Sequence, residues 1–476
     1  RTNVCVVGAG IAGLTAAYRL RQHGVPVRVF EAQNRVGGRM YSLRNHFADG
    51  QVAELGGELI DTGHASIQRL ASELGIALDD VDAYAPGAAR EVWFFGGARR
   101  SDAEVVEAFR PVAAAIQRDL ATLADDDVTA DAPNGGEALD RTPLSAWLDR
   151  TVGRGWFRDL LEVAYVTEYG LEVDRQSALN LLLMLNHERP GREFRVLGES
   201  DERYHVRGGN DRITTALAER LDGAVETGTV LEAVSRRADG TLVCAFQRGS
   251  GRMEVAARHV ILAIPFTLLR SVELDDLRLP PDKRRAIDAL GYGTNAKLMV
   301  GFTGRPWEER YHTAGSTYTD LPYQITWEAS RAQPGASGVL TNLTGGRRGV
   351  ALKEGTPAEQ AARVVAQLER IYPGIGAYRS PATTEARFHW PTFPWTLGSY
   401  AAYHPGQWTT LRGVEGRSEC ANTLHFAGEH CSLEAQGFME GGCETGEAAA
   451  HAVLTALHRI TRVEPASAAK ARALAA

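Results

Sequence analysis

Cysteine is scarce in this chain of 476 residues, which contains only Cys5, Cys244, Cys420, Cys431 and Cys443. Their spacing matches no pattern of metal ligands, and an odd number cannot all pair within one chain. We therefore expect no metal site. Cys5 lies inside an apolar run and is predicted to be a small buried hydrophobe. Cys431 and Cys443 flank a glycine-containing segment near the C-terminus, where packing and a redox role both remain open.

Long apolar runs and an excess of positive charge are also missing. A helix that crosses a bilayer needs about 18 or more apolar residues in succession, and no run in the sequence approaches that length. The formal net charge is −7 and the pI is about 6.1, whereas domains that bind nucleic acids are typically basic. We therefore expect neither a membrane nor a nucleic acid as a partner.

The remaining composition is that of a globular protein, with 44% hydrophobic and 23% charged residues. The length suggests two or three domains. Arg1 lies only three residues before the first apolar run. We therefore expect that an export signal was removed or never existed, and that the protein is soluble, either cytoplasmic or exported.

A glycine motif joins a predicted strand to a predicted helix near the N-terminus, where residues 4–13 have the sequence VCVVGAGIAG. In a dinucleotide-binding unit, Gly8 would make the tight turn, Gly10 would let the backbone approach a pyrophosphate and Gly13 would allow close helix packing. Glu31 follows a second strand, 18 residues after Gly13, where a ribose-binding carboxylate is expected. The pattern predicts a Rossmann-like α/β unit.

A second glycine-rich segment, NRVGGR at residues 34–39, follows this unit. Arg39 can offer a phosphate a forked, charge-assisted pair of hydrogen bonds, which a unit that binds only NAD would not need. The sequence therefore favours FAD over NAD as the cofactor.

At this point the chain resembles the flavin amine oxidase family, which includes monoamine, polyamine and L-amino-acid oxidases. The resemblance runs from Val4 to about Leu454 and is weakest between about Arg99 and Gly198. Besides the N-terminal motif, the segments that carry it are residues 54–57, 204–209, 228–231, 259–265, 295–298, 390–400 and 424–442.

The resemblance implies a Rossmann-like FAD-binding domain that is interleaved with a mixed-sheet substrate domain and a helical subdomain. We assign residues 1–62, 204–270 and 400–460 to the FAD-binding domain. Residues 63–100 and 271–399 are assigned to the substrate-binding domain and residues 101–203 to the helical subdomain. Residues 461–476 form a tail.

The resemblance also assigns roles to individual residues. Lys297 matches the lysine that contacts flavin N5 through a water molecule, and Glu429 matches the carboxylate that holds the ribityl chain. Tyr400 and Phe438 match the two aromatic walls that guide an amine to the flavin, and Trp390 opens the segment that carries Tyr400. The residues expected to bind the cofactor are Gly8, Gly10, Gly13, Glu31, Arg39, Gly56, Gly57, Val230, Gly428, Glu429, Phe438 and Met439.

The substrate is less well defined by the resemblance. Animal L-amino-acid oxidases place an aromatic hydroxyl where this chain has Trp327 or Glu328, and an arginine where it has Leu59. Asp61 falls where polyamine oxidases place the residue that meets a distal amine. Glu58 and Glu328 are expected to face the same pocket, although acidic residues on loops are often merely solvated.

These features lead to a first hypothesis of an L-amino-acid oxidase that prefers a cationic or bulky side chain, such as that of L-arginine or L-lysine. Its products would be a 2-oxo acid, ammonia and hydrogen peroxide. The alternative is a monoamine or polyamine oxidase whose substrate has no carboxylate. Oxygen is the expected co-substrate, and the family suggests a homodimer.

The first prediction concerns how FAD is attached. Monoamine oxidases bond their flavin to a cysteine, and this chain has Ser399 at that position. Acid precipitation of the purified protein should therefore release unmodified FAD into the supernatant. Flavin that stays on the precipitated chain after washing would contradict this prediction.

Overall fold

The computed structural model describes residues 2–84, 87–185 and 194–458. The predicted tail, residues 461–476, lies outside the described residues. In chain order the strands are β1 (Thr2–Val7), β2 (Val27–Phe30), β3 (Ser42–Leu43), β4 (Ala53–Glu54), β5 (Leu78–Asp80), β6 (Ala89–Phe95), β7 (Ala98–Arg100), β8 (Tyr204–Val206), β9 (Val225–Glu226), β10 (Thr229–Arg236), β11 (Leu242–Arg248), β12 (Gly251–Leu262), β13 (Ala296–Phe302), β14 (Thr313–Thr319), β15 (Ile325–Glu328), β16 (Gly338–Thr344), β17 (Glu385–His389) and β18 (Leu424–Phe426).

The helices lie between these strands and after the last one. They are α1 (Ile11–Gln22), α2 (Ala65–Glu73), α3 (Asp102–Leu120), α4 (Glu137–Arg141), α5 (Leu144–Thr151), α6 (Trp156–Tyr169), α7 (Leu179–Leu182), α8 (Asp211–Arg220), α9 (Phe266–Leu269), α10 (Pro281–Ala289), α11 (Pro306–Glu309), α12 (Gly346–Ala351), α13 (Pro357–Leu368) and α14 (Met439–Ala456).

The first large sheet has the order β10-β11-β12-β1-β2-β9, and β18 also pairs with β12. The pairs β1–β12, β1–β2, β2–β9 and β12–β18 are parallel, whereas β10, β11 and β12 form an antiparallel meander. Parallel strands are usually covered on both faces, and accordingly Val4, Cys5 and Val6 of β1 are fully buried. This sheet is the Rossmann-like α/β unit that the glycine motif predicts.

The second large sheet has the order β17-β13-β16-β15-β14-β6-β7. Every residue of its strand β13 is buried. Leu298 and Val300 pack into the core that α13 covers, whereas Lys297 faces a cavity on the other side of the strand. The period of two along a strand therefore positions this lysine.

The helices α3 to α7 form a block with a core of its own. Helix α3 begins at a capping box, in which the Ser101 side chain accepts a hydrogen bond from the Glu104 backbone and the Glu104 side chain accepts one from the Ser101 backbone. Such a box satisfies two backbone donors that the first turn leaves free. Residues of α6 on one face of this block reach the cavity.

The helix α2 and the strand β5 do not pack as the predicted domain boundary at residue 63 requires. Ile67 and Leu70 of α2 lie in the same core as Val4 and Leu14, and β5 pairs with β8. The segment from α2 to β5 is therefore corrected to the FAD-binding part of the protein, because its apolar face is buried there. Strands β6 and β7 lie in the second sheet, as expected for residues 63–100.

A buried lysine fixes the segment that precedes β18. Lys283 of α10 is fully buried, and its Nζ donates to the carbonyl oxygens of Glu415 and Arg417, at 2.8 Å each. The same atom lies 4.0 Å from the ring centroid of Phe426 in β18, and burial lowers the pKa of Lys283 to about 8. The ammonium therefore links α10 to the strand that leads into the C-terminal glycine segment.

We predict that Lys283→Met destabilises the protein, because the carbonyl oxygens of Glu415 and Arg417 lose the ammonium that donates to both of them. A buried polar group without its partner costs about 1–3 kcal/mol, so the variant should lose about 2–4 kcal/mol in urea unfolding of the FAD-loaded protein. Lys353→Met is the matched control, because Lys353 is exposed. Equal stabilities of the two variants would show that the buried ammonium contributes nothing net.

Candidate active site

Two glycines of the N-terminal motif allow close approaches of the backbone. Gly8 has a φ of +100°, and a Cβ there would lie 2.4 Å from the carbonyl oxygen of Ala263. A Cβ on Gly13 would lie 2.0 Å from the oxygen of Gly8. No larger residue fits either position, so the turn from β1 into α1 depends on both.

Gly10 behaves differently, because a Cβ there would meet no atom within 4 Å. Gly10 lies at the N-terminus of α1 and lines the main cavity. A helix N-terminus with open space in front of it can receive a pyrophosphate. The structure thus provides the cradle that the sequence assigned to Gly10.

Glu31 closes the same end of the cavity. The side chain is 6% exposed, and its two oxygens accept hydrogen bonds from the backbone N–H groups of Ala9 and Gln33, at 2.7 and 2.9 Å. Burial raises the pKa of this carboxyl group. Because Glu31 is held against the glycine turn, it lies at the position where a ribose would be bound.

The main cavity is continuous and has a volume of about 500 Å³. It brings together most of the residues that the sequence predicted for the site. Those that line it are Gly8, Gly10, Glu31, Arg39, Gly56, Gly57, Glu58, Asp61, Val230, Lys297, Trp327, Trp390, Tyr400, Gly428, Glu429, Phe438 and Met439. Gly13 lies behind the wall, consistent with a packing role.

Arg39 and Glu429 form an ion pair of 2.6 Å within the cavity wall. Arg39 also donates to the carbonyl oxygen of Ser399, and Glu429 also accepts hydrogen bonds from the backbone N–H groups of Ala401 and Gly437. Both bonds of Arg39 use Nη1, so its other N–H groups can still donate to a phosphate. Glu429 joins three chain segments around the cofactor cavity.

Ser399 is 4% exposed, and its hydroxyl donates to Oδ1 of Asn295 at 2.7 Å. A hydroxyl group in this bond offers no thiol for a thioether. The glycine cradle, Glu31 and Arg39 fit an FAD that is held without a covalent bond.

Lys297 is 6% exposed and is surrounded by acceptors. Its Nζ donates to the carbonyl oxygens of Glu54 and Gly56, at 3.2 and 2.7 Å, and to Oε2 of Glu58, at 2.8 Å. The other oxygen of Glu58 accepts a hydrogen bond of 2.8 Å from Nε1 of Trp327, whose ring centroid lies 5.1 Å from the ammonium. The three residues Lys297, Glu58 and Trp327 therefore act as one unit at the cavity wall.

The three predicted aromatic residues line the cavity, and each is fixed by a different contact. The hydroxyl of Tyr400 donates to the backbone oxygen of Glu168 at 2.6 Å, and the ring of Phe438 packs edge-on against His64 at 5.2 Å. Nε1 of Trp390 donates to the oxygen of Leu55. The two proposed walls of the amine cage, Tyr400 and Phe438, are thus anchored to different parts of the protein.

Asp61 lines the cavity, but its carboxylate is already bonded. Oδ1 accepts hydrogen bonds from the Ser200 hydroxyl and the Glu202 backbone, at 3.0 and 2.8 Å, and Oδ2 lies 3.3 Å from Nε2 of His64. Its predicted contact with a substrate cation remains a prediction. What the structure adds is that Asp61 holds the loop that carries Glu202.

The prediction for Glu328 is corrected by the structure. Glu328 does not line the cavity, because successive residues of β15 point to opposite faces of the sheet and Trp327 takes the cavity face. Its carboxylate is bound by Arg305, Trp307 and Ser330 at 3.1, 2.7 and 2.7 Å. Glu328 therefore forms a structural ion pair with Arg305.

Among the cavity residues that the sequence analysis did not name are Glu168, Glu202 and Tyr318. Glu168 is in α6, where the resemblance is weakest, and Glu202 follows that block. Burial, together with Glu202 and Asp61, raises the pKa of Glu168 to about 8. Burial and Asp61 also raise the pKa of Glu202. The alternation of side chains along β14 could have indicated Tyr318. No comparable sequence signal points to Glu168 or Glu202.

Across residues 2–84, 87–185 and 194–458, no three acidic, histidine or cysteine side chains are grouped so as to hold a metal ion. In the same ranges no helix has the length and apolar character needed to cross a membrane.

Comparison with known proteins finds relatives that are similar in sequence and solved structures that are similar in fold. The chain is 25% identical to the putative L-amino-acid oxidase YobN of Bacillus subtilis, over 95% of this chain and 94% of the relative. Its fold is similar to that of cyclohexylamine oxidase from Brevibacterium oxydans, with a TM-score of 0.82, 20% identity and coverage of 96% and 99% of the two chains. A putrescine oxidase bound to putrescine gives a TM-score of 0.79 at 21% identity, with coverage of 95% and 99%.

The sequence model of the family described as flavin containing amine oxidoreductase matches residues 11–454. That match begins at the first residue of α1, includes the whole second sheet and ends within α14. The chain therefore belongs to the flavin-containing amine oxidoreductases, and its cofactor is FAD.

Proposed function

We propose that this protein oxidises the primary amine of a substrate whose far end carries a positive charge. The observation that carries the proposal is a set of four acidic residues that line the cavity in addition to Glu31 and Glu429, namely Glu58, Asp61, Glu168 and Glu202. Among the described residues, Lys297 and Arg39 are the cations that line it, and each is paired with a carboxylate. Walls of this kind attract cations and disfavour anions.

FAD, when bound, accepts the two electrons and the hydrogen that leave the carbon–nitrogen unit of the amine. Tyr400 and Phe438 would hold the reacting amine between two aromatic faces, which favours its neutral and reactive form by excluding water. Lys297 would provide a fixed positive charge next to the site where negative charge develops. The imine product then hydrolyses to a carbonyl compound and ammonia, and oxygen is reduced to hydrogen peroxide.

The charges in the cavity also bear on whether the substrate has a carboxylate. Among the described residues, Arg39 is the sole arginine of the cavity lining, and it is bound to Glu429. Leu59 lines the cavity where L-amino-acid oxidases of the family place an arginine. We therefore favour an amine without a carboxylate, such as a diamine, and the fold similarity to putrescine oxidase supports this choice.

Oxidation of a basic L-amino acid is the second candidate. L-Arginine and L-lysine carry the same cationic end, and the relative YobN is named a putative L-amino-acid oxidase. The two candidates share the requirement for a distal cation and differ only in the carboxylate.

We predict the outcome of anaerobic flavin reduction with matched pairs of substrates. Cadaverine and agmatine should reduce the flavin with a higher rate constant per dissociation constant than lysine and arginine, because the two cations of the described cavity lining, Lys297 and Arg39, are already paired with carboxylates. For cadaverine and for agmatine, this ratio should exceed that of pentylamine by about tenfold or more, since a desolvated charge pair contributes at least about 1.4 kcal/mol. Equal efficiency for cadaverine and pentylamine would remove the distal cation from the proposal, whereas faster reduction by the amino acids would select the second candidate.

We also predict that Lys297→Met slows the reoxidation of reduced flavin by oxygen, and its reduction by substrate, while FAD stays bound. The reason is that the variant removes the fixed charge near the flavin and leaves the cradle intact. Stopped-flow absorbance measures both half-reactions separately.

The control is the double variant Lys297→Met/Glu58→Gln, because the single variant leaves the Glu58 carboxylate without its partner. A rate defect that persists in the double variant belongs to the lost ammonium. Full recovery of both rates in the double variant would mean that the stranded carboxylate caused the defect and that Lys297 has a structural role.

A further inference from the structure

Glu168 and Glu202 differ from the other acidic residues of the cavity in having free carboxylates. Glu58 is bonded to Lys297 and Trp327, and the Asp61 carboxylate accepts bonds from its neighbours. No described residue hydrogen-bonds to the carboxylate of Glu168 or of Glu202. The Glu168 side chain is half-buried, the Glu202 side chain is exposed, and both line the cavity. A ligand in the cavity is therefore their available partner.

The backbones that carry these two residues are firmly held. The carbonyl oxygen of Glu168 accepts the hydroxyl of Tyr400, and the N–H of Glu202 donates to Asp61. Glu202 has a φ of +49°, in the left-handed region that side-chain-bearing residues rarely adopt. Such a conformation is strained and persists where the surroundings impose it, often at functional sites.

A third group with no partner lies at the same place. Tyr318 of β14 is 8% exposed, lines the cavity and has a hydroxyl with no hydrogen-bond partner among the described residues. Burial raises the pKa of this hydroxyl, and Glu202, Glu91 and Glu168 raise it further. A ligand in the cavity can therefore provide its hydrogen-bond partner.

The pKa values of both carboxyl groups are raised. Desolvation by the surrounding protein is the main cause; Glu202 and Asp61 add to it at Glu168, and Asp61 and Glu58 add to it at Glu202. Arg331 and Arg90 oppose this effect at Glu202. The titratable and charged groups that face the pair are Glu58, Asp61, Glu91, Arg90, Arg331, Tyr165, Tyr169, Tyr318 and Tyr400.

We propose that Glu168 and Glu202, with the Tyr318 hydroxyl, receive the positive end of the substrate and hold one proton between them until that cation displaces it. The inference rests on the proposed function and adds a regulation of the same site. The proton leaves the carboxyl oxygen for solvent, and the ammonium or guanidinium group of the substrate takes its place as the compensating positive charge. The preference for a dicationic substrate therefore increases with pH.

The experiment uses the FAD-loaded protein with its flavin reduced by dithionite under anaerobic conditions, so that amines bind without being oxidised. Titration calorimetry with 1,4-diaminobutane and with butylamine, in two buffers of different ionisation enthalpy, counts the protons released by each ligand. The reacting amine contributes equally in both cases, so the difference reports on the distal end. We expect the diamine to release up to one more proton at pH 7.

The affinity ratio of diamine to monoamine should rise by up to about tenfold per pH unit below pH 8 and level off above it, as expected for one displaced proton. In Glu168→Gln the excess proton and the pH dependence of the ratio should both disappear. Glu162→Gln is the matched control, because Glu162 lies earlier in α6 and its carboxylate is bound to Arg158. That control should behave as the unmodified protein.

Two outcomes separate this inference from the proposed function. Equal affinities for the two ligands at every pH would overturn both, since no distal cation would then be bound. A diamine preference with no excess proton and no pH dependence would overturn the shared proton alone and leave the proposed function standing. If Glu168→Gln does not fold, the proton count of the unmodified protein decides the question.

Discussion

The ion pair between Arg39 and Glu429 closes the cofactor cavity. It joins residues that are 390 positions apart in the sequence, and through Glu429 it also fixes the backbone at Ala401 and Gly437. A buried carboxylate is expensive unless it is paired and hydrogen-bonded, and these donors satisfy it. The position of Tyr400 on one side and of Phe438 on the other follows from this closure, because each is adjacent to one of the backbone groups that Glu429 holds.

The parts of the site that can be predicted from the sequence depend on local geometry. The glycines of residues 4–13 are required by close approaches within a single strand–turn–helix unit, and Glu31 follows from the length of that unit. For these residues the spacing in the sequence determines the spacing in space. The same holds for Lys297, because β13 is buried on both faces and its period of two leaves one face for the cavity.

The parts that the sequence did not predict depend on contacts between distant segments. Trp327 and Glu328 are neighbours in the sequence, and only the pairing of β15 with β14 and β16 decides which of them faces the cavity. Glu168 is on a helix whose apolar residues fix its buried face, but nothing in that pattern shows that the end of the helix reaches the cofactor cavity. The left-handed conformation of Glu202 likewise depends on Asp61, which is far away in the chain.

The chain order of the first sheet has a consequence for how the protein is made. Strand β18 pairs with β12, and α14 packs on α1 so closely that a Cβ on Gly446 would lie 2.3 Å from the oxygen of Ala12. During synthesis the glycine turn, β1 and α1 emerge first, yet their covering helix is translated more than 400 residues later. At a ribosomal rate of about 5–20 residues per second, the nascent N-terminal unit waits for tens of seconds with one face of its helix uncovered. The cofactor cavity can therefore be complete only after translation has reached α14, because Glu429, Phe438 and Met439 line it.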